Sequence, residues 1–142
     1  MRRFSAVILF FVISAVLALI VSCGGASMSM QGRQLQSITV TPASADAMNF
    51  PNGMVQFKAM GSFNMAPMTA ATPVMWTIGN AMGSSMPPVG VTINSMTGVA
   101  QCSGFTGTVF IMASAPAEPE IPLAQMSPMT MNVSGMAQLT CP

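Results

Sequence analysis

Methionine is the residue type in this chain with the most evident capacity for chemistry. There are 17 methionines among 142 residues, and the thioether sulfur is a soft donor that suits Cu(I). Met126, Met129 and Met131 have the close spacing of a methionine-rich copper site. On a strand, Met129 and Met131 would point to one side, about 7 Å apart. These three residues are therefore the candidate copper ligands. Methionine is also spread along the whole chain, which fits adaptable packing, a sticky surface, oxidant scavenging or compositional drift equally well.

The residue types that most enzymes depend on are missing. The chain has no histidine and no tyrosine, and only three acidic residues. This composition excludes Ser-His-Asp and Cys-His catalysis and the commonest general base. Glu118 and Glu120 are too close together in sequence to form an acid and base pair with opposed pKa values. We therefore expect a non-enzymatic protein without a cofactor.

Charge is scarce throughout the chain. Charged residues make up 5% of the sequence and hydrophobic residues 51%, against about 25% charged in an ordinary globular domain. After residue 23 only Arg33 and Lys58 are basic. Nucleic-acid binding thus has almost no electrostatic basis. An exported chain tethered to a membrane would tolerate such an uncharged surface better than a soluble cytoplasmic one.

The N-terminus has the order of a targeting segment. Arg2 and Arg3 precede an almost wholly apolar run over residues 4–21, and Ile20, Ser22 and Cys23 follow the spacing of a lipobox. This pattern resembles a bacterial lipoprotein signal peptide. The resemblance implies cleavage after Ser22, with diacylglycerol on the Cys23 thiol and then N-acylation by a palmitate-type chain. An uncleaved membrane helix, or an ordinary signal peptide with an incidental thiol, remains an alternative. All three place the N-terminus at the membrane and export the rest.

With Cys23 lipidated, Cys102 and Cys141 remain as an even pair in an oxidising compartment. We expect the strands on either side of the loop near Glu120 to form an antiparallel hairpin. The midpoint between Cys102 and Cys141 in the sequence falls in the same loop. The two residues should therefore lie opposite each other at the open end of that hairpin and form a disulfide. A metal or redox pair is the alternative, although neither a C-x-x-C spacing nor a histidine supports it.

From Leu35 onward, short alternating apolar and polar runs are separated by Gly, Pro and Asn. About seven strands at regular spacing predict an all-β sandwich or barrel. The predicted strands cover residues 38–41, 55–59, 74–78, 91–93, 98–99, 108–113 and 129–139, with Gly135 at a bulge. The expected core residues are Ile38, Val40, Val55, Phe57, Ala59, Val74, Trp76, Ile78, Val91, Ile93, Val109, Ile111 and Ala113. Trp76, Phe57 and Ile111 are expected at its centre, although the Trp76 ring would also suit ligand stacking.

Four short segments carry a second resemblance. Residues 35–42 (LQSITVTP), 55–59 (VQFKA), 74–77 (VMWT) and 107–111 (GTVFI) are similar, in the same order, to strands of bacterial immunoglobulin-like domains of the group 2 type. Residues 91–100 and the proline-rich loop 115–128 depart from that pattern. The resemblance implies an immunoglobulin-like β-sandwich with a surface or adhesion role, and it supplies no catalytic residues.

The sequence thus predicts a signal peptide over residues 1–22, a lipidated cysteine with a flexible tether over 23–34, and an immunoglobulin-like β-sandwich over 35–142. The expected function is a non-enzymatic, lipid-anchored module in cell-envelope structure, adhesion or protein contact. The alternative is a periplasmic Cu(I)-binding protein. Expected partners are the membrane, through the anchor, and a protein or surface polysaccharide. Gly24 after the lipidated cysteine favours the outer over the inner membrane.

Overall fold

The computed structural model describes residues 32–80 and 88–142, and in these ranges the chain is built from β-strands and three short 3-10 turns. The all-β fold class is confirmed. The strands are β1 Leu35–Thr41, β2 Ser44–Asp46, β3 Met54–Gln56, β4 Lys58–Phe63, β5 Thr69–Ala71, β6 Met75–Asn80, β7 Val91–Ile93, β8 Val99–Cys102, β9 Gly107–Pro116 and β10 Asn132–Cys141. The described residues contain ten strands where seven were predicted. β2 and β5 were missed because each has only three residues and too little alternation to be recognised, and the predicted strand 55–59 is divided into β3 and β4.

The strands form three hydrogen-bonded sets. Their orders are β1-β4-β5, β3-β8-β7 and β2-β10-β9-β6. All pairs are antiparallel except β2 with β10, which is parallel. Because β2 follows β1 after only Pro42 and Ala43, the chain leaves one set and joins another within two residues. Residues 35–46 therefore supply an edge strand to each of two sets.

Phe57 separates β3 from β4, although the chain continues through both in an extended run. The Phe57 amide donates to the carbonyl of Gly98 (3.0 Å). Residues before Phe57 pair with β8, and residues after it pair with β1. The two three-stranded sets are thus joined through one interrupted strand. Its first part, β3, pairs with β8, and its second part, β4, pairs with β1.

The buried residues form one continuous hydrophobic cluster. Eleven of the predicted core residues are buried, and Ile78 and Ile93 are half-buried beside the cluster. Phe57, Trp76 and Ile111 are 1%, 4% and 0% exposed, so all three are core residues. The prediction omitted eight buried residues, which are Leu35, Ala47, Phe63, Ala100, Ala115, Ala137, Leu139 and Cys141. Five of these eight are alanine or cysteine, whose small side chains give a weak hydrophobic signal.

A tight turn at residues 94–98 covers the Trp76 ring. Asn94 Oδ1 accepts hydrogen bonds from the amides of Met96 (3.0 Å) and Thr97 (2.9 Å), which fixes an Asx-type turn. Gly98 follows with a φ of 73°, and a Cβ at this position would lie 2.7 Å from Trp76 Cε2. Only glycine meets both demands, a left-handed backbone and a close approach to an aromatic ring.

Cys102 and Cys141 form a disulfide with their Cα atoms 5.8 Å apart. The reason given for it from sequence was wrong. The β9-β10 hairpin runs from Asn132 opposite Pro116 to Cys141 opposite Gly107, so it is centred near Ala124 rather than near Glu120. Cys102 lies on β8, which is not paired with β10. The bond therefore joins two different sheets instead of closing one hairpin.

Gly135 was also assigned the wrong role. β9 and β10 pair without interruption through Gly135 opposite Ala113, and the register shift in the described sheets that involves β1 lies between Leu35 and Ser37. A Cβ on Gly135 would collide with the carbonyl of Ile38. The glycine is needed because β1 crosses β10 at very short distance there. Gly135 does not form a bulge.

Candidate functional site

The predicted lipidation residue, Cys23, lies outside the described residues, as do the signal peptide and most of the tether. Trp76 is described and is 4% exposed. Its ring centroid lies 6.4 Å from that of Phe57, with the planes tilted by 44°. A ring so enclosed offers little surface to a ligand, which favours the core role of Trp76 over ligand stacking.

The three candidate copper ligands do not form the predicted arrangement. β10 begins at Asn132, so Met129 and Met131 precede the strand rather than lying on one of its faces. Their side chains are 98% and 83% exposed. Residues 127–130 form a turn in which the Ser127 amide donates to Thr130 Oγ1 (3.1 Å) and the Thr130 hydroxyl donates to the carbonyl of Ser127 (2.7 Å). The geometric premise for pairing Met129 with Met131 is therefore wrong.

A different group of methionines lies in register on the outward side of the β2-β10-β9-β6 sheet. Met136 on β10 is directly opposite Met112 on β9. Met75 on β6 is opposite Ser114, two residues along β9 from Met112 and therefore on the same face. Directly opposite residues have Cβ atoms about 4.5–5.5 Å apart, and diagonal neighbours about 7–8 Å. We call Met75, Met112 and Met136 the methionine face.

The methionine face is uncharged and only partly covered. Met136 is 62% exposed, whereas Met75 and Met112 are half-buried. The Met112 thioether lies over the backbone of Gly79, where a Cβ would be 3.2 Å from the sulfur. In the sequence these methionines are dispersed along the chain. Strand register is not visible in a sequence, and only register brings Met75, Met112 and Met136 together.

A partly enclosed cavity of about 380 Å³ lies at the end of β9. We call it the Arg33 cavity. Its walls are mainly apolar, and Arg33 is the one charged residue that lines it in the part of the chain that the structure describes. The chief apolar lining residues are Leu35, Phe63, Pro73, Ala115, Ile121 and Leu123. The proline-rich loop after β9, which departed from the immunoglobulin-like pattern, supplies one wall.

Several contacts hold Arg33 in place. Its guanidinium carbon lies 3.6 Å from the centroid of the Phe63 ring, a cation–π contact. Its Nη2 donates to the carbonyl of Pro67 (2.8 Å). The next residue, Gln34, receives a hydrogen bond from the Asn64 amide and donates its own amide to Asn64 Oδ1. The base of the Arg33 side chain is thereby tied to the β4–β5 turn.

Arg33 is also incompletely satisfied. Its Nε is buried and has no hydrogen-bond partner within residues 32–80 and 88–142. An unpaired buried donor costs about 1–3 kcal/mol, and more when the group is charged. Such a group in a folded protein requires an explanation. In the sequence, Arg33 is notable only as one of the two basic residues after residue 23. Nothing in its local sequence indicates a cavity.

No group of three or more His, Cys, Asp or Glu residues suited to a metal ion occurs in the part of the chain that the structure describes. No helix among those residues has the length and apolar character needed to cross a membrane. Comparison of the chain with protein-family models and with curated proteins finds no match.

Proposed function

We propose that the chain is a non-enzymatic lipoprotein, anchored to the outside of a bacterial membrane through Cys23, whose β-domain is an immunoglobulin-like sandwich serving in cell-envelope structure, adhesion or protein contact. The observation that carries the fold part of this proposal is the strand order. A constant-type immunoglobulin sandwich packs strands A, B, E and D against strands C, F and G. In this chain β1, β3-β4, β8 and β7 correspond to A, B, E and D, and β6, β9 and β10 correspond to C, F and G.

Two further features support the correspondence. Trp76 lies buried on β6, the equivalent of strand C, where antibody domains also carry a buried tryptophan. β2 pairs with β10 in parallel, so the first strand is shared between two sheets. The disulfide differs, because it joins the equivalents of strands E and G rather than B and F. Strand order is the stronger criterion, since a disulfide can be placed wherever two Cα atoms come within about 7 Å.

The non-enzymatic part of the proposal rests on the residue types available. The chain contains no histidine, and its methionine face offers uncharged, adaptable contact surface of the kind found at protein interfaces. The lipid anchor rests on the pattern Ile20-Val21-Ser22-Cys23 after an apolar run. Two or three acyl chains suffice for stable attachment.

Intact-mass measurement of the protein purified from bacterial membranes tests the anchor. We expect a mature chain that begins at Cys23 and carries the mass of two or three acyl chains. Cys23→Ser should abolish both the acyl mass and the cleavage, whereas Cys102→Ser should retain them. An unprocessed chain, or a processed chain without acyl mass, would contradict the proposal.

A second candidate function is Cu(I) binding, now favoured at the methionine face rather than at Met126, Met129 and Met131. The supporting observation is the register that sets Met112 opposite Met136. Titration with Cu(I) under reducing conditions distinguishes the sites. Tight stoichiometric binding that is lost in Met112→Leu/Met136→Leu and kept in Met129→Leu/Met131→Leu would support this function. Equal binding by both double variants would count against it.

A further inference from the structure

We propose that the Arg33 cavity is a binding site for a small monocarboxylate with an apolar body, of the medium-chain fatty acid type. This site is independent of the lipid anchor and of the methionine face. It combines a mainly apolar cavity of about 380 Å³, within the range of about 300–1,000 Å³ typical of small-molecule sites, with one cation, whose side chain makes a single hydrogen bond within residues 32–80 and 88–142.

The cation selects a carboxylate. A guanidinium has five N–H donors in a planar fork that matches a carboxylate. Within the described residues, the Arg33 side chain donates one hydrogen bond, to Pro67, and its Nε is buried without an acceptor. Stacking on Phe63 at 3.6 Å and the anchoring of Gln34 to Asn64 fix the guanidinium before any ligand arrives. Because Nε is buried, a carboxylate in the cavity binds the terminal Nη1 and Nη2 groups, at little cost in ordering the side chain.

The surroundings limit the ligand to one negative charge. Among the described residues, Arg33 is the single basic one that lines the cavity. Glu118 and Glu120 are exposed on the loop that contributes Pro119 and Ile121 to its wall, so this loop adds negative rather than positive charge. One guanidinium cannot balance a multiply charged anion such as a phosphate monoester. A single carboxylate is matched by a single guanidinium.

The walls select an apolar body. Leu35 and Phe63 are each 3% exposed and form the floor. Gly61 beneath them has no room for a Cβ against Leu35 and Thr72, so these side chains pack down onto the strand. Taking about 30 Å³ for a group of the size of water, the cavity holds about a dozen heavy atoms. Decanoate has a suitable size and is the probe that we choose.

Isothermal titration calorimetry with the full-length processed protein in a neutral detergent tests the site. We expect saturable one-to-one binding of decanoate, weakened at least tenfold by Arg33→Met. Lys58→Met is the matched control, because it removes the other cation after Cys23 and Lys58 does not line the cavity. Partition of decanoate into micelles is common to all three proteins, so the difference between them reports the site.

Two further arms separate the parts of the proposal. Decanamide and decylammonium share the apolar body without the carboxylate, and both should bind at least tenfold more weakly than decanoate. Ala70 lies opposite Gly61 on β4, on the sheet face that bears Phe63, and it lines the cavity. Ala70→Phe therefore places a ring in the cavity and should abolish binding while circular dichroism remains unchanged. Equal binding by wild type and Arg33→Met, equal binding of decanamide and decanoate, or undiminished binding by Ala70→Phe would each overturn the proposal.

Discussion

The region around Trp76 is tightly packed, whereas the region around Arg33 contains an unfilled cavity, although both are lined by similar residue types. Around Trp76, the Asn94–Gly98 turn closes over the ring so tightly that a single added carbon at Gly98 would lie 2.7 Å from it. Around Arg33, prolines and aliphatic residues stand back and leave about 380 Å³ unfilled. Both regions contain a buried aromatic ring, Trp76 in one and Phe63 in the other. The contrast teaches that a turn hydrogen-bonded to the neighbouring strand closes over a core, whereas a loop bonded to the strands only at its ends leaves a cavity.

Backbone hydrogen bonding explains this contrast. The turn before β8 is fixed by Asn94, which accepts from two following amides, and it is tied to β6 by the Trp76 amide, which donates to Ser95 (2.9 Å). The loop after β9 contains Pro119 and Pro122, which have no amide hydrogen to donate. That loop is attached at its ends, where Ala117 bonds to Leu35 and Met131. The backbone hydrogen bonds of its middle run within the loop, from Ile121 to Glu118 and from Gln125 to Pro122, so in the described residues they do not tie it to β1 or β4.

Replacing Trp76 should have the largest effect on the closed region. Trp76→Ala removes a ring that is 4% exposed, and loss of a buried aromatic side chain of this size costs about 3–5 kcal/mol. Urea unfolding followed by circular dichroism measures the loss. Met75→Ala, on the neighbouring outward position, should cost less than about 1 kcal/mol. Equal losses would mean that the ring is not the centre of the core.

Removal of the disulfide should be nearly as costly. Cys102→Ala/Cys141→Ala opens a loop of 39 residues, for which chain entropy gives about 3–4 kcal/mol. The same unfolding assay applies, with the wild type under reducing conditions as the comparison. Since the bond joins β8 to β10, we expect the loss to appear in global unfolding rather than in fraying of the C-terminus. Unchanged global stability with local loss of protection at β10 would contradict a role in joining the sheets.

Gly98 and Gly104 offer a matched pair that separates packing from backbone strain. Both have a positive φ, 73° and 90°, but a Cβ on Gly104 would meet nothing within 4 Å. Gly98→Ala should therefore cost about 2–3 kcal/mol and Gly104→Ala about 1 kcal/mol. Thermal unfolding compares the two. If the two variants were equally destabilised, the close approach of Gly98 to Trp76 would make no contribution to the free energy of unfolding.

The smallest stability effect is expected in the open region. Leu123 is half-buried at the cavity wall, so Leu123→Ala should cost less than about 1 kcal/mol, because most of the contacts that a core leucine makes are absent. The same variant should weaken decanoate binding severalfold. A stability loss as large as that of Trp76→Ala would show that the wall belongs to the core and is not a binding surface.

Strand positions and the core were largely predictable, because alternation of apolar residues reflects burial of one sheet face. The errors occurred where the prediction needed register. Cys102 and Cys141 were paired correctly for a wrong reason, since a hairpin centred on Glu120 was assumed and the true centre is near Ala124. The loop shifts the register because β9 continues to Pro116 and β10 begins only at Asn132. Likewise, the spacing of Met129 and Met131 predicted a strand face, and the Ser127–Thr130 turn forms instead.

Sequence alone determined the all-β class, most of the buried strand residues and the absence of histidine chemistry, because alternation and composition are properties of the linear chain. The tertiary structure decided which methionines share a face, why Gly98 and Gly135 are glycines, and that Arg33 borders an apolar cavity. Each of these depends on distances between segments that are far apart in the chain. Such distances follow from how strands cross and pair in three dimensions, which no local pattern encodes.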